Sequence, residues 1–134
     1  MRASRNKRRV EIRRGMRAAL KAAKQLGYQL ERGDRSFMRM SDLYLSVEKS
    51  WRSAPNPRLW ALAHEVGHCL FRHQGGLDIV VEAGFDGFCE DDVRQYEEVR
   101  AWEIGEQFVP RWARNLYWSY AKKCLRTYGV ELER

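Results

Sequence analysis

Residues 57–72 have the sequence PRLWALAHEVGHCLFR, and this segment decides the fold. Asn56 precedes it as a candidate N-cap, and Pro57 suits a first helical turn, where its missing N–H costs nothing. Apolar residues recur through the segment at spacings of three and four, which is typical of a helix. We therefore predict a helix over 57–72 that is buried on most sides. Its apolar residues are Leu59, Trp60, Leu62, Ala63, Val66, Gly67, Leu70 and Phe71.

This helix carries His64 and His68, which are four residues apart and therefore leave the same face about one turn apart. Two imidazoles in this arrangement can bind one cation. Glu65 lies about 100° around the helix from His64, where a carboxylate can reach a metal-bound water without being a ligand. Zn²⁺ would lower the pKa of that water toward about 7, and Glu65 would accept its proton as general base. The motif predicts a zinc-dependent metallopeptidase; the alternative is a coincidental or purely structural histidine pair.

A catalytic zinc site needs a third protein ligand and one open position. His73 is poorly placed for this role, because the HExxHxxGxxH pattern requires glycine and histidine where this chain has Phe71 and Gln74. We expect His73 to lie at the helix end and complement the helix dipole. A better source is an acidic helix predicted over 93–108. It offers three candidates, which are Glu97, Glu98 and Glu103.

Residues 62–68, LAHEVGH, resemble the active helix (hxHEhGH) of the gluzincin-type metallopeptidases similar to ImmA/IrrE, common in bacteria and their phages. Residues 98–101, EVRA, are similar to the ExxA helix that supplies the third ligand of that family, and residues 108–110 loosely resemble the apolar stretch with proline that follows. The resemblance covers roughly residues 43–110. It implies an α+β, zincin-like fold, with the active helix packed on a short antiparallel sheet and followed by C-terminal helices. It also implies Glu98 as the third zinc ligand.

The resemblance further implies a protein or peptide substrate bound in extended form. In such families the substrate adds a strand to the sheet edge beside the active helix, which here would be residues 43–47. Two departures from the family pattern matter. Trp102 stands where the family often has Asn or Asp, which leaves Glu97 and Glu103 as alternatives to Glu98. No helix-turn-helix or large regulatory domain accompanies the peptidase part, which weakens any inference that the substrate is a bound repressor.

The segments before the active helix predict one helix and a small sheet. Apolar residues from Val10 onward recur at helical spacing over 8–26, and Gly27 is placed to end that helix. Short apolar segments at 28–30, 36–40 and 43–47 then predict strands, and the last of them alternates between apolar and polar residues. An antiparallel sheet is the simplest interpretation.

The segments after the active helix predict a loop and two helices. Residues 73–92 are rich in glycine and acidic residues, so we expect a loop over the site, in which 77–81 can form a short strand. Asp91 or Asp92 can cap the helix over 93–108. Pro110 then begins a last helix, which Gly129 ends. Its predicted apolar stripe consists of Trp112, Leu116, Tyr120, Cys124 and Tyr128.

The formal net charge of +7 is unevenly distributed. Residues 1–24 contain ten Arg or Lys residues against Glu11 alone, whereas the remainder of the chain has a small excess of acidic residues. We predict a basic N-terminal arm and helix over 1–24 that can attract nucleic acid, an anionic membrane surface or an acidic partner. The alternative is a solvated terminus. A second hypothesis for the whole chain follows, namely a nucleic-acid-associated regulatory protein whose metal site is structural or vestigial.

The length of 134 residues predicts a single globular domain overall, in which 25–134 form the metallopeptidase part. Cys69, Cys89 and Cys124 are odd in number and widely spaced, so we expect reduced thiols. No window reaches the roughly 18 apolar residues of a membrane span, and no secretory apolar segment follows the basic N-terminus. These features predict a cytoplasmic protein without a transmembrane segment.

Overall fold

The structure is a computed structural model that describes residues 2–39, 43–48, 57–76 and 90–133. Within these ranges the chain forms four α-helices and a three-stranded sheet, so the predicted α+β class is confirmed. Most of the predicted loop over 73–92, with its strand at 77–81, lies outside the described residues. The elements are α1 (Arg2–Gln25), β1 (Gln29–Gly33), β2 (Phe37–Arg39), β3 (Tyr44–Glu48), α2 (Pro57–Phe71), α3 (Glu90–Gly105) and α4 (Arg114–Arg126).

The sheet has the strand order β1-β3-β2. Strand β3 is parallel to β1 and antiparallel to β2, so the prediction of an antiparallel sheet is wrong for one of the two pairings. The three residues between β1 and β2 are enough to cross the end of β3, because two strand spacings amount to only about 10 Å. The hydroxyl of Ser46 on β3 donates a hydrogen bond of 2.9 Å to the carbonyl of Arg35, which ties the crossing segment to the central strand.

The central position of β3 corrects a second prediction. Because β3 is paired on both sides, residues 43–47 cannot be the sheet edge that accepts an extended substrate. Among the described strands, β2 is an edge strand instead, and it contacts α2. Leu45 and Val47 of β3 are buried, as the alternation in this segment predicts. Alternation reports which face of a strand is buried, but it does not report which strands are neighbours.

Helix α1 begins at Arg2, well before the predicted start at residue 8. Its apolar face packs against α2, although Val10, expected on that face, is 50% exposed. Gly27 follows the helix with φ +94° and turns the chain into β1, as predicted. The basic segment is therefore continuous with a helix whose later turns lie in the core. The buried residues of α1 are Ile12, Met16, Ala19 and Ala23.

Helix α2 is the centre of the molecule and contacts α1, α3, α4, β2 and β3. Its bounds, Pro57–Phe71, agree with the predicted range to within one residue. A helix surrounded by other elements must be apolar on most sides, and the prediction of such burial is confirmed. Side chains of α2 that are at most 1% exposed are Trp60, Leu62, Ala63, Val66 and Cys69.

Helices α2 and α3 approach each other at backbone distance. A Cβ atom added to Gly67 would lie well inside contact distance of the Ala101 carbonyl oxygen. One added to Gly105 would lie 2.6 Å from the carbonyl oxygen of Ala63. Small residues at these positions let the two backbones touch. Side chains on the facing surfaces of α2 and α3 can therefore reach each other directly. The candidate site lies between these two helices.

The two C-terminal helices differ from their predicted forms. Helix α3 begins at Glu90, so Asp91 and Asp92 lie in its first turn and neither is the N-cap. A 3₁₀ turn, Arg111–Ala113, separates Pro110 from α4. Gly129 ends the helical segment with φ +78°, as predicted.

The buried face of α4 is one position away from the predicted stripe. Leu116 is 50% exposed and Tyr128 is 38% exposed, whereas Trp112, Tyr120 and Cys124 are half-buried. A strict four-residue spacing drifts around a helix of 3.6 residues per turn, so one such stripe cannot stay on the core face. The residues buried here are Ala113, Tyr117, Trp118, Ala121 and Leu125.

Cys69 and Cys124 are free thiols, as expected from the cysteine spacing, and Cys89 lies outside the described residues. None of the helices in the described ranges combines the length and the hydropathy that a membrane span requires.

Candidate metal centre

The histidine face of α2 is directed at α3. His64 and His68 have ring centroids 4.5 Å apart and planes inclined at 65°. His68 is 7% exposed, and the side chain of His64 is 12% exposed. Buried ring nitrogens need hydrogen-bond partners or a metal ion. The partners here come from α3.

Glu98 on α3 faces both imidazoles. Its Oε2 lies 2.8 Å from Nε2 of His64, and its Oε1 lies 3.2 Å from Nε2 of His68. One ligand atom from each of the three side chains lies within 4.8 Å of the others, and this group could hold a metal ion. The structure thus brings together the two histidines and the glutamate that the ExxA resemblance implies.

The neighbouring carboxylate, Glu97, has a different place. Its Oε2 lies 2.8 Å from Nδ1 of His68, on the side of the ring that faces away from Glu98. Arg72, in the π-helical turn after α2, donates to both oxygens of Glu97 at 2.9 and 3.1 Å. A carboxylate on the second nitrogen of a ligand histidine fixes the ring and raises its basicity. Glu97 and Arg72 therefore orient His68, a role that sequence reasoning missed.

We expect Glu97→Gln to lower the affinity of the site for Zn²⁺ by about 10- to 100-fold, the usual effect of losing such a supporting carboxylate. The amide still accepts a hydrogen bond from His68 but carries no negative charge. Competition with a chromogenic chelator measures the affinity. Glu103→Gln is the matched control, because it makes the same chemical change on the same helix, and it should leave the affinity within about twofold. Equal losses in both variants would contradict the role of Glu97.

The other two ligand candidates lie elsewhere. Glu103 pairs with Arg100, three residues earlier on α3, at 3.2 Å. His73 is exposed, and its ring meets the edge of Tyr28 at a centroid distance of 5.5 Å. Neither belongs to the cluster of His64, His68 and Glu98.

Trp102 supports the imidazole ring of His64. The two rings are stacked, with centroids 4.1 Å apart and planes inclined by 8°. Trp102 is 1% exposed and is packed edge to face against Tyr117 and Tyr120 of α4, so it is a rigid platform. The residue that departs from the family pattern therefore orients a histidine by stacking. Its spacing of four from Glu98 was the available signal, since residues four apart share a helix face.

The two histidines of the cluster differ in their electrostatics. Burial lowers the pKa of His64, even though the hydrogen bond to Glu98 opposes that shift. Burial acts the same way on His68, but hydrogen bonds with Glu97 and Glu98 outweigh it and raise the pKa of His68 to about 9. Burial would raise the pKa of Glu98, yet its bonds to the two histidines hold that pKa well below its usual range. Two ionised carboxylates that stabilise an imidazolium suit a bound cation.

Glu65 lies beside the cluster and is not part of it. Its Oε1 is 3.7 Å from Nδ1 of His64, which is too long for a hydrogen bond. Burial raises the pKa of Glu65 to about 7, and the nearby charge of His68 and a backbone hydrogen bond from Met38 on β2 oppose this rise. The carboxylate can therefore hold or release a proton near neutral pH.

An open cleft of about 400 Å³ exposes these groups. Besides the two histidines and Glu98, the cleft is lined by Glu65, by Phe37 and Met38 of β2, and by Arg94 and Tyr128. Burial, followed by the charge of Glu98 and a hydrogen bond to it, raises the pKa of Tyr128. Tyr128 thus provides Glu98 with a further polar partner, which its predicted place in an apolar stripe did not suggest.

Comparison of the chain with protein-family models, with curated protein sequences and with solved structures gives no match. The chemistry of the site therefore has to be inferred from its geometry and from the sequence motif.

Proposed function

We propose that this chain is a zinc-dependent metallopeptidase of the ImmA/IrrE-like, gluzincin type. The observation that carries the proposal is the convergence of His64, His68 and Glu98 beside the carboxylate of Glu65 in an open cleft. Two imidazoles and one carboxylate are the protein ligands of many zinc peptidases, which keep a further position open. A purely structural histidine pair would not need a fourth ionisable group, Glu65, in the lining of the same cleft.

The donor set fits zinc in particular. Imidazole nitrogen and carboxylate oxygen are suitable ligands for Zn²⁺, whereas Mg²⁺ and Ca²⁺ prefer oxygen ligands alone. Glu97 holds the ring of His68, and Trp102 holds the ring of His64, before a metal binds. This preorganisation reduces the entropy lost on binding. Bound zinc supplies Lewis acidity, which lowers the pKa of water toward about 7 and polarises a carbonyl group.

Glu65 has the position and the chemistry of the general base. It is on the same helix as the two histidines but faces the cleft, where a water molecule and a peptide carbonyl have access. The hydrogen bond from the backbone of Met38 holds its carboxylate against β2. Glu65 accepts a proton from water on one oxygen and can pass that proton to the leaving amine.

The edge strand β2 is the proposed site of the substrate main chain. Phe37 and Met38 of β2 line the same cleft as Glu65. A peptide that adds to the outer edge of β2 in extended form would carry its main chain past the carboxylate. Main-chain pairing gives affinity with little selectivity for side chains, so we expect recognition of an extended segment of a protein.

A cleavage assay tests the proposal. Protein with one equivalent of Zn²⁺ should hydrolyse members of a mixed library of quenched fluorescent peptides, and mass spectrometry of the products should show cut peptide bonds. Dialysis against dipicolinate should abolish the hydrolysis, and added Zn²⁺ should restore it. Hydrolysis that survives metal removal would contradict the proposal, as would a zinc-loaded protein that cleaves no peptide in the library.

A further inference from the structure

The side of α1 that faces away from the core is strongly basic. The buried residues of α1 lie on one face, and residues 5–10, which precede the first of them, are exposed on every side. The basic face is defined here as the exposed Arg and Lys side chains opposite the core. These are Lys7, Arg13, Arg14, Arg17, Lys21 and Lys24.

The basic face is a narrow and regular strip. At 100° per residue its six side chains fall within about a third of the helix circumference, and at 1.5 Å per residue the strip is about 26 Å long. The later turns of α1 are anchored in the core through Met16, Ala19 and Ala23, each of them fully buried. The spacing of the charges is therefore fixed by a packed helix.

Little negative charge opposes this strip. Glu11 is the one acidic residue in residues 1–24, and its Oε2 already accepts a hydrogen bond of 2.8 Å from Nε1 of Trp112. Within the part of the chain that the structure describes, Arg14, Arg17 and Lys21 take part in no ion pair. Aligned cations such as Arg14, Arg17 and Lys21 attract a polyanion with regularly spaced charges.

The strip does not suit a membrane surface. A helix that lies on a bilayer inserts an apolar face between the lipids, and the apolar face of α1 is already buried against α2. On the exposed side of α1, Val10 is the one large hydrophobic residue with substantial exposure among the described residues. The strip therefore offers charge without an insertion surface.

We propose that the basic face of α1 binds the phosphate backbone of double-stranded DNA without regard to sequence. Regular phosphates on a rigid duplex match a rigid row of cations, and Arg side chains can contact phosphate oxygens in bidentate fashion. An α-helix about 10–12 Å in diameter fits the major groove of B-DNA, which is about 12 Å wide, and residues 5–10 stand clear of the core for such an approach. A-form RNA has a major groove too narrow for this.

The basic face and the cleft are separate. None of the residues that line the cleft belongs to α1. We therefore expect DNA binding that depends neither on the metal nor on hydrolysis. DNA binding and peptide hydrolysis can therefore be tested separately.

Fluorescence anisotropy with a labelled 20-base-pair DNA of arbitrary sequence tests the inference, with the full chain at several salt concentrations. The triple variant Arg14→Gln, Arg17→Gln, Lys21→Gln should raise Kd by about tenfold or more at 100 mM salt and reduce the slope of log Kobs against log salt by about 2–3. The matched control carries Lys122→Gln, Lys123→Gln and Arg126→Gln on α4, which removes the same charge elsewhere. Its Kd should stay within about twofold of the wild-type value.

Three results would overturn the inference. One is a wild-type chain that shows no binding to the duplex at 50 mM salt. Another is an equal loss of affinity in the α4 control, which would reduce the effect to net charge. The third is tighter binding of duplex RNA, or of a glutamate-rich peptide, than of DNA. Helical content by circular dichroism and zinc content, both expected to match the wild-type protein, show whether the α1 variant is folded.

Discussion

Glu65→Gln is expected to lower kcat for peptide hydrolysis by about 10²-fold or more while zinc stays bound. Glutamine has nearly the size of glutamate, so the cleft and the backbone contact with Met38 can persist. The amide cannot accept the proton of water, and the loss should therefore fall on kcat. Steady-state kinetics on a cleaved peptide, together with metal analysis of the same samples, measures both quantities.

The control for this variant is Glu103→Gln, which removes a carboxylate from the exposed pair with Arg100 and should leave kcat nearly unchanged. Retention of activity in Glu65→Gln would remove Glu65 from the mechanism. A loss of zinc in Glu65→Gln would show that this carboxylate supports the metal and would require a different base.

His64→Ala and His68→Ala are each expected to lower zinc affinity by more than about 100-fold, beyond the usual effect of losing a supporting residue. Each variant removes one of three ligand atoms that lie within 4.8 Å of one another. His73→Ala is the matched control, because His73 is the third histidine of the chain and contacts Tyr28 outside the cluster. It should keep the wild-type affinity.

Thermal unfolding separates the two causes of a low zinc content. Both variants should remain folded without metal, because the core of α2 consists of apolar residues such as Leu62 and Val66, which neither change touches. Stoichiometric zinc in both His64→Ala and His68→Ala would refute the assignment of the site. Loss of zinc in His73→Ala would show that a different histidine set is used.

Helix α2 was predictable because its determinants are local. The spacing of apolar residues gives the helix, Pro57 marks its first turn, and the i, i+4 relation places His64 and His68 on one face. These relations depend on helix geometry and hardly at all on the rest of the fold. The α+β class, which the family resemblance implies, agrees with the helices and strands that such local patterns predict.

The arrangement of the sheet was not predictable in this way. Alternation correctly indicated that Leu45 and Val47 face the core, yet it contains no information on strand order. The segment 34–36, which crosses the end of β3, is held there by a tertiary hydrogen bond from Ser46 to Arg35. The strand expected at the edge is consequently in the centre, and the strand beside Glu65 is β2.

The proposed ligand Glu98 and the supporting carboxylate Glu97 were also hard to distinguish from the sequence. Glu97 and Glu98 are adjacent, and the rotation of α3 about its axis decides which one faces both histidines. That rotation is a property of two packed helices together, whose backbones approach closely where Gly67 meets Ala101. The stacking of Trp102 on His64 is likewise a contact between α3 and α2, which the sequence of one helix does not contain.

The metal content of the wild-type chain, measured by inductively coupled plasma mass spectrometry after purification without added zinc, tests the central claim most directly. A His₂Glu cluster supported by Glu97 predicts one zinc ion per chain. A chain that contains no zinc and binds none at micromolar concentration would contradict the claim, because its cleft would then lack the metal that the proposed hydrolysis requires.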